Sequence, residues 1–289
     1  MASLKEIKSR IQSVRSTHKI TSAMMMISSS KLRKMQRLIQ NLSPYEERMA
    51  HLMKTLMQAD HDFVSPFTRR REVKRVAIVA FSSNTGLVGR FNDNIIETLK
   101  TTVDSYAHLG KENILLYPIG NKIQNAVKKL QLTGQAEAQR VVADHPSYDS
   151  ARQVAEKLLS LFLAEEIDKV ELIYHHYQSK SRQILTRETF LPIEPDTQTE
   201  ETSTDYIFEP DKQTLLDEII PKVLKLRLYF VHANSAISEQ AARTVAMQIA
   251  TDNANELLDE LTLQYNKLRQ QTITNELLDI VGGSFGKEG

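Results

Sequence analysis

Two long stretches of this sequence contain almost no residue that interrupts an α-helix. The first glycine is Gly86 and the first proline is Pro44, and neither type occurs in the 60 residues from Lys222 to Val281. Glycine and proline cost about 1 and 3 kcal/mol in a helix interior, so their absence favours very long helices at both ends of the chain. A helix over the second stretch would extend about 90 Å, and a helix of that length needs a partner.

The spacing of apolar residues indicates that each terminal helix has the other as its partner. Steps of three and four run from Leu4 to Leu42, and nine of the twelve positions in the series are apolar. The same steps run from Val223 to Leu268, with small and polar members in the middle. This is the seam of a left-handed coiled coil. We therefore expect the N- and C-terminal helices to pair antiparallel as a rod.

Two prolines interrupt these helical patterns. The segment Ser43-Pro44-Tyr45-Glu46 has the composition of a capping box with proline at the first helical position. It predicts that the first helix kinks or restarts near residue 44. Pro221 follows the apolar pairs Leu215-Leu216 and Ile219-Ile220, which predicts a short helix before the long C-terminal one.

The middle of the chain alternates short β-branched runs with amphipathic stretches, which is typical of an α/β domain. Strands are predicted at Val76–Phe81, Ile114–Ile119, Val170–Tyr177 and Ile184–Phe190. Helices are predicted at Asn94–Tyr106, Lys122–Leu130 and Ser150–Glu165. The expected fold class is α/β with a long antiparallel coiled coil, in which a Rossmann-like α/β domain is inserted between the two terminal helices.

The predicted boundaries follow from these patterns. Residues 1–72 form the N-terminal helix, 73–210 the α/β domain and 211–289 the C-terminal helix. The polar run Asp196–Asp205, rich in Thr and Glu, is expected to be a connector without structure of its own.

Composition excludes several classes of protein. The chain has no cysteine, so disulfides, thiolate metal sites and a cysteine nucleophile are excluded. It has no apolar run of the roughly 18 to 20 residues that cross a bilayer, and its first residues lack the pattern of a secretory signal. We expect it neither to span a membrane nor to enter the secretory route. The near balance of 37 basic and 36 acidic residues gives no overall case for nucleic acid.

Candidate catalytic motifs are weak. The loop Ser82–Asn92 follows a strand and holds Gly86 and Gly89, but it lacks the third glycine or the Lys-Ser/Thr pair of a phosphate-binding loop. A tight strand-to-helix turn is the favoured interpretation of this loop. The pair His175-His176 lies in a predicted strand, where neighbours point to opposite faces and cannot easily share a metal ion. His18 occupies a seam position. No metal site, cofactor site or autonomous catalyst is predicted.

Charge is concentrated at the start of the chain. Nine basic residues and one acidic residue lie between Met1 and Ser43, whereas six acidic and two basic residues lie between Asp252 and Val281. The basic helix fits an acidic protein partner at least as well as nucleic acid, because no aromatic residue interleaves its charges for base stacking. Three consecutive methionines, Met24–Met26, cover about 200° of a helix, so at least one is predicted to face outward.

Short motifs at both ends of the chain are shared with a known family. They are Lys5–Val14, Lys19–Met24 and Ser30–Lys34 near the start, Gly86–Asn92 in the loop, and Ser238–Arg243, Ala250–Ala254, Tyr265–Lys267 and Ile280–Gly283 near the end. Together they closely resemble the gamma subunits of F-type ATP synthases, in their bacterial form. The chain departs from the family pattern at Ser22, Met25, Asn84 and the tail Ser284–Gly289.

The resemblance implies a function. It implies a central rotor shaft that couples ion flow through the membrane ring to ATP synthesis or hydrolysis in a ring of alpha and beta subunits. It also implies contacts with the epsilon subunit and the c-ring, a peripheral location on the cytoplasmic face of the bacterial inner membrane, and no catalysis by this chain itself in the proton-translocating complex.

By the same resemblance, the residues expected to contact the ring are Met24 and Met25, beside the acidic lever region of beta, and Arg243, Gln270, Thr274 and Glu276, against its catch loops. Two alternatives stay open from the residues alone. One is a coiled-coil scaffold without ATPase partners. The other is a nucleotide-binding α/β enzyme with helical arms.

Overall fold

The structure, a computed structural model, describes residues 3–58, 65–131, 145–193, 209 and 211–285. Its α-helices are α1 (Leu4–Gln58), α2 (Phe91–Ser105), α3 (Asn121–Lys129), α4 (Tyr148–Leu163) and α5 (Lys212–Phe285). Its strands are β1 (Val76–Phe81), β2 (Ile114–Ile119), β3 (Lys169–Tyr177) and β4 (Gln183–Leu191). All four predicted strands are confirmed to within a residue, and the three predicted inner helices agree within three residues.

The strands form one sheet in the order β2-β1-β3-β4. β1 pairs in parallel with β2 and β3, whereas β4 pairs antiparallel with β3. Every residue of β1 is buried, as expected for a central strand covered on both faces. The three parallel strands end at the same edge of the sheet, where the loops after β1 and β2 meet.

The chain divides into two compact units. The sheet unit comprises residues 29–243, and the helical unit comprises residues 1–28 and 244–289. In the sheet unit, alternate residues of β1 point to opposite faces. Ala77, Val79 and Phe81 pack in a core with α4 and the first part of α5, and Val76 and Ile78 pack in a second core with α2 and α3.

The helical unit is a pair of antiparallel helix segments. Thr21 of α1 hydrogen-bonds Thr251 of α5 at 2.8 Å between hydroxyls. A mainly apolar groove is lined by Ser9, Arg10, Ser13 and Val14 of α1 together with Leu257 and Leu261 of α5. Thr21 contacts Thr251, whereas the earlier residues Ser9 and Val14 lie beside the later residues Leu257 and Leu261. The two segments therefore run in opposite directions.

The seam predicted from the sequence is confirmed. All twelve seam positions between Leu4 and Leu42 are buried or half-buried, and so are all fourteen between Val223 and Leu268. Of the three methionines, Met26 is exposed while Met24 and Met25 are half-buried, which confirms that one of them faces outward. The small seam residues Ala233 and Ala254 are buried, as close helix approach requires.

The predicted restart at Pro44 and the predicted short helix before Pro221 are wrong, because α1 continues through Pro44 and α5 continues through Pro221. The predicted kink near residue 44 stays a prediction. Pro44 is exposed, and the buried Glu46 two residues on pairs with Arg227 at 3.0 Å. Leu216 and Ile220 before Pro221 lie fully in the sheet core. These contacts on the flanking turns offset the roughly 3 kcal/mol cost of an interior proline.

Two further predictions from the sequence are not tested by the structure. The connector Asp196–Asp205 lies outside the described residues. The three-segment division at residues 72 and 210 stays a prediction, since the compact units divide the chain within α1 and α5. Among the described helices, none combines the length and the apolar content of a membrane crossing.

Candidate functional site

The segment of α5 from Val231 to Ala241 is buried on every side within the sheet unit. It lies against the end of β3: the Ser238 hydroxyl donates to the His175 carbonyl at 3.0 Å, and the Tyr177 amide donates to the Asn234 side chain at 3.3 Å. Tyr177 also contacts α1, because the side-chain amide of Gln36 donates to the Tyr177 hydroxyl at 2.8 Å. The end of β3 is therefore held by both long helices.

The loop after β1 packs against the N-terminus of α3, whose backbone amides could otherwise bind an anion. The first turn of α3 directs its backbone amides at this loop. The amide of Asn121 donates to the Asn84 side chain, that of Lys122 to the Ser83 carbonyl and that of Ile123 to the Ser82 hydroxyl. Since the chain's own oxygens satisfy these amides, the structure favours the tight-turn interpretation and leaves the nucleotide-binding alternative without this site.

The same loop is fixed on its other side by α2. The Asn92 side chain accepts a hydrogen bond from the amide of Ser83 at 3.1 Å. The Ser83 hydroxyl donates to the Thr85 carbonyl at 2.6 Å and lies 3.0 Å from the same Asn92 oxygen. At the tip of the loop, Leu87 has a φ of 63° and is 60% exposed. A leucine in this conformation costs roughly 1 to 2 kcal/mol, which the two-sided anchoring of the loop must offset. The sequence pattern pointed to Gly86 and Gly89 and gave no signal for Leu87.

Arg243 joins α5 to this loop. Its guanidinium pairs with Glu239 one turn earlier at 2.7 Å and donates to the Thr85 hydroxyl at 2.8 Å. It also reaches the backbone carbonyls of Thr85 and Gly86, each at 3.4 Å. Both charged side chains are almost completely buried, at 9% and 3% exposure. Arg243, Glu239, Thr85 and Gly86 are called the Arg243 junction below.

The two adjacent histidines of β3 occupy different environments. His175 is buried, and its ring stacks on Phe91 with centroids 4.4 Å apart. Burial lowers the pKa of His175 to about 4, so the ring is neutral in the fold at pH 7. His176 is half-buried, and burial followed by the nearby Arg227 charge also lowers its pKa. Among the described residues, no group of histidine and carboxylate side chains could hold a metal ion.

A second charged cluster connects α1, α5 and β4, and the sequence gave no sign of it. Arg227 of α5 binds Glu188 through Nη2 at 2.9 Å and through Nε at 3.3 Å, and binds Glu46 of α1 at 3.0 Å. The Tyr174 hydroxyl donates to Glu188 at 3.2 Å. A bidentate arginine that bridges two carboxylates ties these three elements together at one point.

The other predicted contact residues lie in the helical unit. Met24 and Met25 are half-buried on α1, and Gln270, Thr274 and Glu276 are exposed on α5. The Thr274 hydroxyl donates back to the backbone carbonyl of Gln270 at 2.9 Å, and Gln270 itself is exposed. Arg243 differs from the others, since it is buried in the sheet unit.

Large apolar side chains are also exposed in the helical unit. They are Ile20, Met26, Ile27, Ile249, Leu257, Leu263, Ile273, Leu277, Leu278 and Ile280. Exposed apolar side chains at this density are typical of a surface that a protein partner covers.

The comparisons with known proteins decide the family. A family model described as ATP synthase matches residues 3–285. The ATP synthase gamma chain of Phocaeicola vulgatus is 54% identical over 289 residues, covering 99% of this chain and all of that relative. The chain belongs to the ATP synthase gamma-chain family. The gamma chain of Bacteroides thetaiotaomicron is 51% identical, again over 99% of this chain and all of that gamma chain.

Solved structures resemble this chain in fold. A chain in the rotor structure of the Euglena gracilis mitochondrial ATP synthase matches with a TM-score of 0.65 at 18% identity, covering 93% of this chain and 98% of that chain. The central stalk and c-ring structure of the Tetrahymena thermophila mitochondrial ATP synthase contains a chain that matches with a TM-score of 0.57 at 20% identity. The match covers 80% of this chain and 99% of that chain. At these identities the likeness shows a shared fold.

Proposed function

We propose that this chain is the central rotor shaft of an F-type ATP synthase, where it couples ion flow through the membrane ring to ATP synthesis or hydrolysis. The observation that carries the proposal is the match to gamma chains along the whole chain, at up to 54% identity. The antiparallel helix pair and its exposed apolar side chains support it, because a shaft needs a stiff axis and a surface that its housing contacts. The scaffold alternative explains the helices but not the family match.

The physical mechanism rests on asymmetry. A single shaft presents a different face to each of three otherwise equivalent sites, so the affinity of each site for nucleotide depends on the angle of the shaft. Rotation is then linked to binding free energy, and the linkage is reciprocal. In this proposal, nucleotides bind and react on the ring and not on this chain.

Two surfaces are proposed to contact the alpha and beta subunits. The first contains the exposed Gln270, Thr274 and Glu276 of α5, together with Met24 and Met25 of α1. The second is the basic stretch of α1 in the sheet unit, where the exposed residues Lys31, Arg33, Lys34 and Arg37 have no ion-pair partner among the described residues. Unpaired exposed cations favour an acidic partner surface.

The finer placement of the chain follows from the same proposal. Segments 1–72 and 211–289 belong to the shaft, and segment 73–210 is directed toward the epsilon subunit and the c-ring. The complex lies on the cytoplasmic face of the bacterial inner membrane, to which this chain is attached through its partners.

An affinity purification tests the proposed function. The tagged chain is recovered from membranes of its source after gentle extraction, and its partners are identified by mass spectrometry. We expect two larger nucleotide-binding subunits in excess over this chain, and ATPase activity in the complex but not in the chain alone. Recovery of the chain alone, or with unrelated proteins, would leave the scaffold alternative in its place.

A further inference from the structure

The Arg243 junction lies at a particular point along α5. Arg243 is the last residue of the sheet unit, and Thr244 is the first α5 residue of the helical unit. The junction therefore fixes α5 in the turn where the helix leaves the sheet unit. Glu239 and Arg243 supply the charged side chains that α5 contributes there, and they are paired with each other at 2.7 Å.

The bonds of Arg243 occupy its guanidinium within the chain. One terminal nitrogen binds Glu239, and the other binds the hydroxyl and carbonyl of Thr85 and the carbonyl of Gly86. Breaking this buried, charge-assisted pair to reach an outside partner would separate two opposite charges in a buried site, at high cost. The Arg243 guanidinium is thus directed toward the loop after β1.

The loop that receives Arg243 is itself fixed to two helices. The Thr85 carbonyl also accepts from the Ser83 hydroxyl at 2.6 Å, and Ser83 is bound by Asn92 of α2. Asn84 receives the first amide of α3 at 3.1 Å. A force applied to α5 at Arg243 is consequently passed to β1, α2 and α3 through this set of hydrogen bonds.

We propose that Arg243 is a positioning residue that locks α5 to the loop after β1, so that the helix cannot twist independently of the sheet unit where it leaves it. This rests on the proposed rotor function, in which twist at that point would lose torque between the shaft and its base. Arg243 acts on coupling through Thr85 and the loop, and it does not act by contacting the ring.

The test uses the complex assembled with Arg243→Ala, with Thr85→Val and with both changes. ATP-driven proton pumping in vesicles is divided by the ATPase rate to give a coupling ratio. We expect Arg243→Ala to lower the ratio several-fold and Thr85→Val to lower it less, because two carbonyl contacts remain. The double variant should be no worse than Arg243→Ala alone, since both changes remove one interaction.

Amide hydrogen exchange on the isolated full chain gives a second readout, which assembly does not affect. In the Arg243→Ala and Thr85→Val chains we expect exchange to become roughly tenfold faster in residues 83–87, with no comparable change in α4. A role limited to global stability would raise exchange throughout the chain. Arg152→Ala is the matched control, because Arg152 pairs with Glu156 across one helical turn on an exposed face.

Each remaining outcome decides the question. A normal ratio and normal exchange in Thr85→Val, with a lowered ratio in Arg243→Ala, would show that Arg243 acts on a partner and would overturn the lock. A normal ratio in Arg243→Ala would also overturn it. If the parental chain fails to assemble with larger subunits, the rotor function fails, and the hydrogen-exchange result still decides whether the lock exists.

Discussion

His175 should make the stability of this chain fall as the solution becomes acidic. The ring is 3% exposed, it stacks on Phe91, and its Nδ1 has no hydrogen-bond partner among the described residues. Burial lowers its pKa from 6.5 to about 4. The unfolded chain therefore binds more protons than the folded chain below pH 6.5, so the stabilisation is present above that pH and is lost as the pH falls toward 4.

The size of the effect follows from the two pKa values. Linkage gives a loss of about 2 kcal/mol between pH 8 and pH 5 from this ring alone, and about 3 kcal/mol once the pH is below 4. Replacing His175 by Phe removes the titrating group and keeps an aromatic ring against Phe91. We expect the variant to lose about 2 kcal/mol less than the parent between pH 8 and pH 5. Some pH dependence should remain, because the pKa of His176 is also lowered.

Urea unfolding of the full chain at pH 8 and pH 5, followed by far-UV circular dichroism and tyrosine fluorescence, measures these differences. His51→Gln is the control, because it removes a histidine from an exposed face of α1. Equal pH dependence in the parent and in His175→Phe would show that the ring is not held neutral by burial. A leucine at position 175 serves as a second variant if phenylalanine is too large for the site.

Two further substitutions probe the sheet unit. Gly120→Ala should destabilise the chain by about 3 kcal/mol or more, because Gly120 has a φ of 101° and a new Cβ would collide with the Ser82 carbonyl. Gly89→Ala is the control, since Gly89 has a φ of 56° and open space around it. It should cost only about 1 kcal/mol in the same urea titration. Glu171→Ala should cost about 2 kcal/mol, because it leaves Arg187 without the carboxylate it binds at 2.7 Å. A thermal melt within a degree of the parent for either Gly120→Ala or Glu171→Ala would contradict these contacts.

The elements that the sequence predicts are those whose burial leaves a pattern that can be counted. The seams of α1 and α5 repeat an apolar face, and the central strand β1 is a continuous apolar run because it is buried on both faces. The prolines were misjudged for a related reason. A local rule penalises Pro44 and Pro221, but the contacts that keep the helices intact, such as the pair between Glu46 and Arg227, come from residues 181 positions apart.

The candidate site was harder to predict because its bonds join distant side chains of ordinary types. Nothing near Thr85 in the sequence indicates Arg243, and nothing near Arg227 indicates Glu188. The family resemblance selected Arg243 as a residue of interest, but it placed that residue in a contact with a partner. That contact is untested by a single chain, and the lock proposed above is the competing explanation. The exposed Gln270, Thr274 and Glu276 stay predictions in the same way, since a single chain holds no partner.

The dependence of the sheet core on α5 also has a consequence for biosynthesis. Leu216, Ile220, Leu224, Leu228 and Val231 of α5 complete the core beneath β1 and β3, yet a ribosome adds them after all four strands have been made. Until they emerge, α4 covers only part of this apolar face of the sheet, and the uncovered part is prone to aggregate. The sheet unit of a nascent chain thus cannot close before translation is almost complete. A chain truncated before residue 216 should consequently require chaperone protection, even though it contains every strand of the sheet.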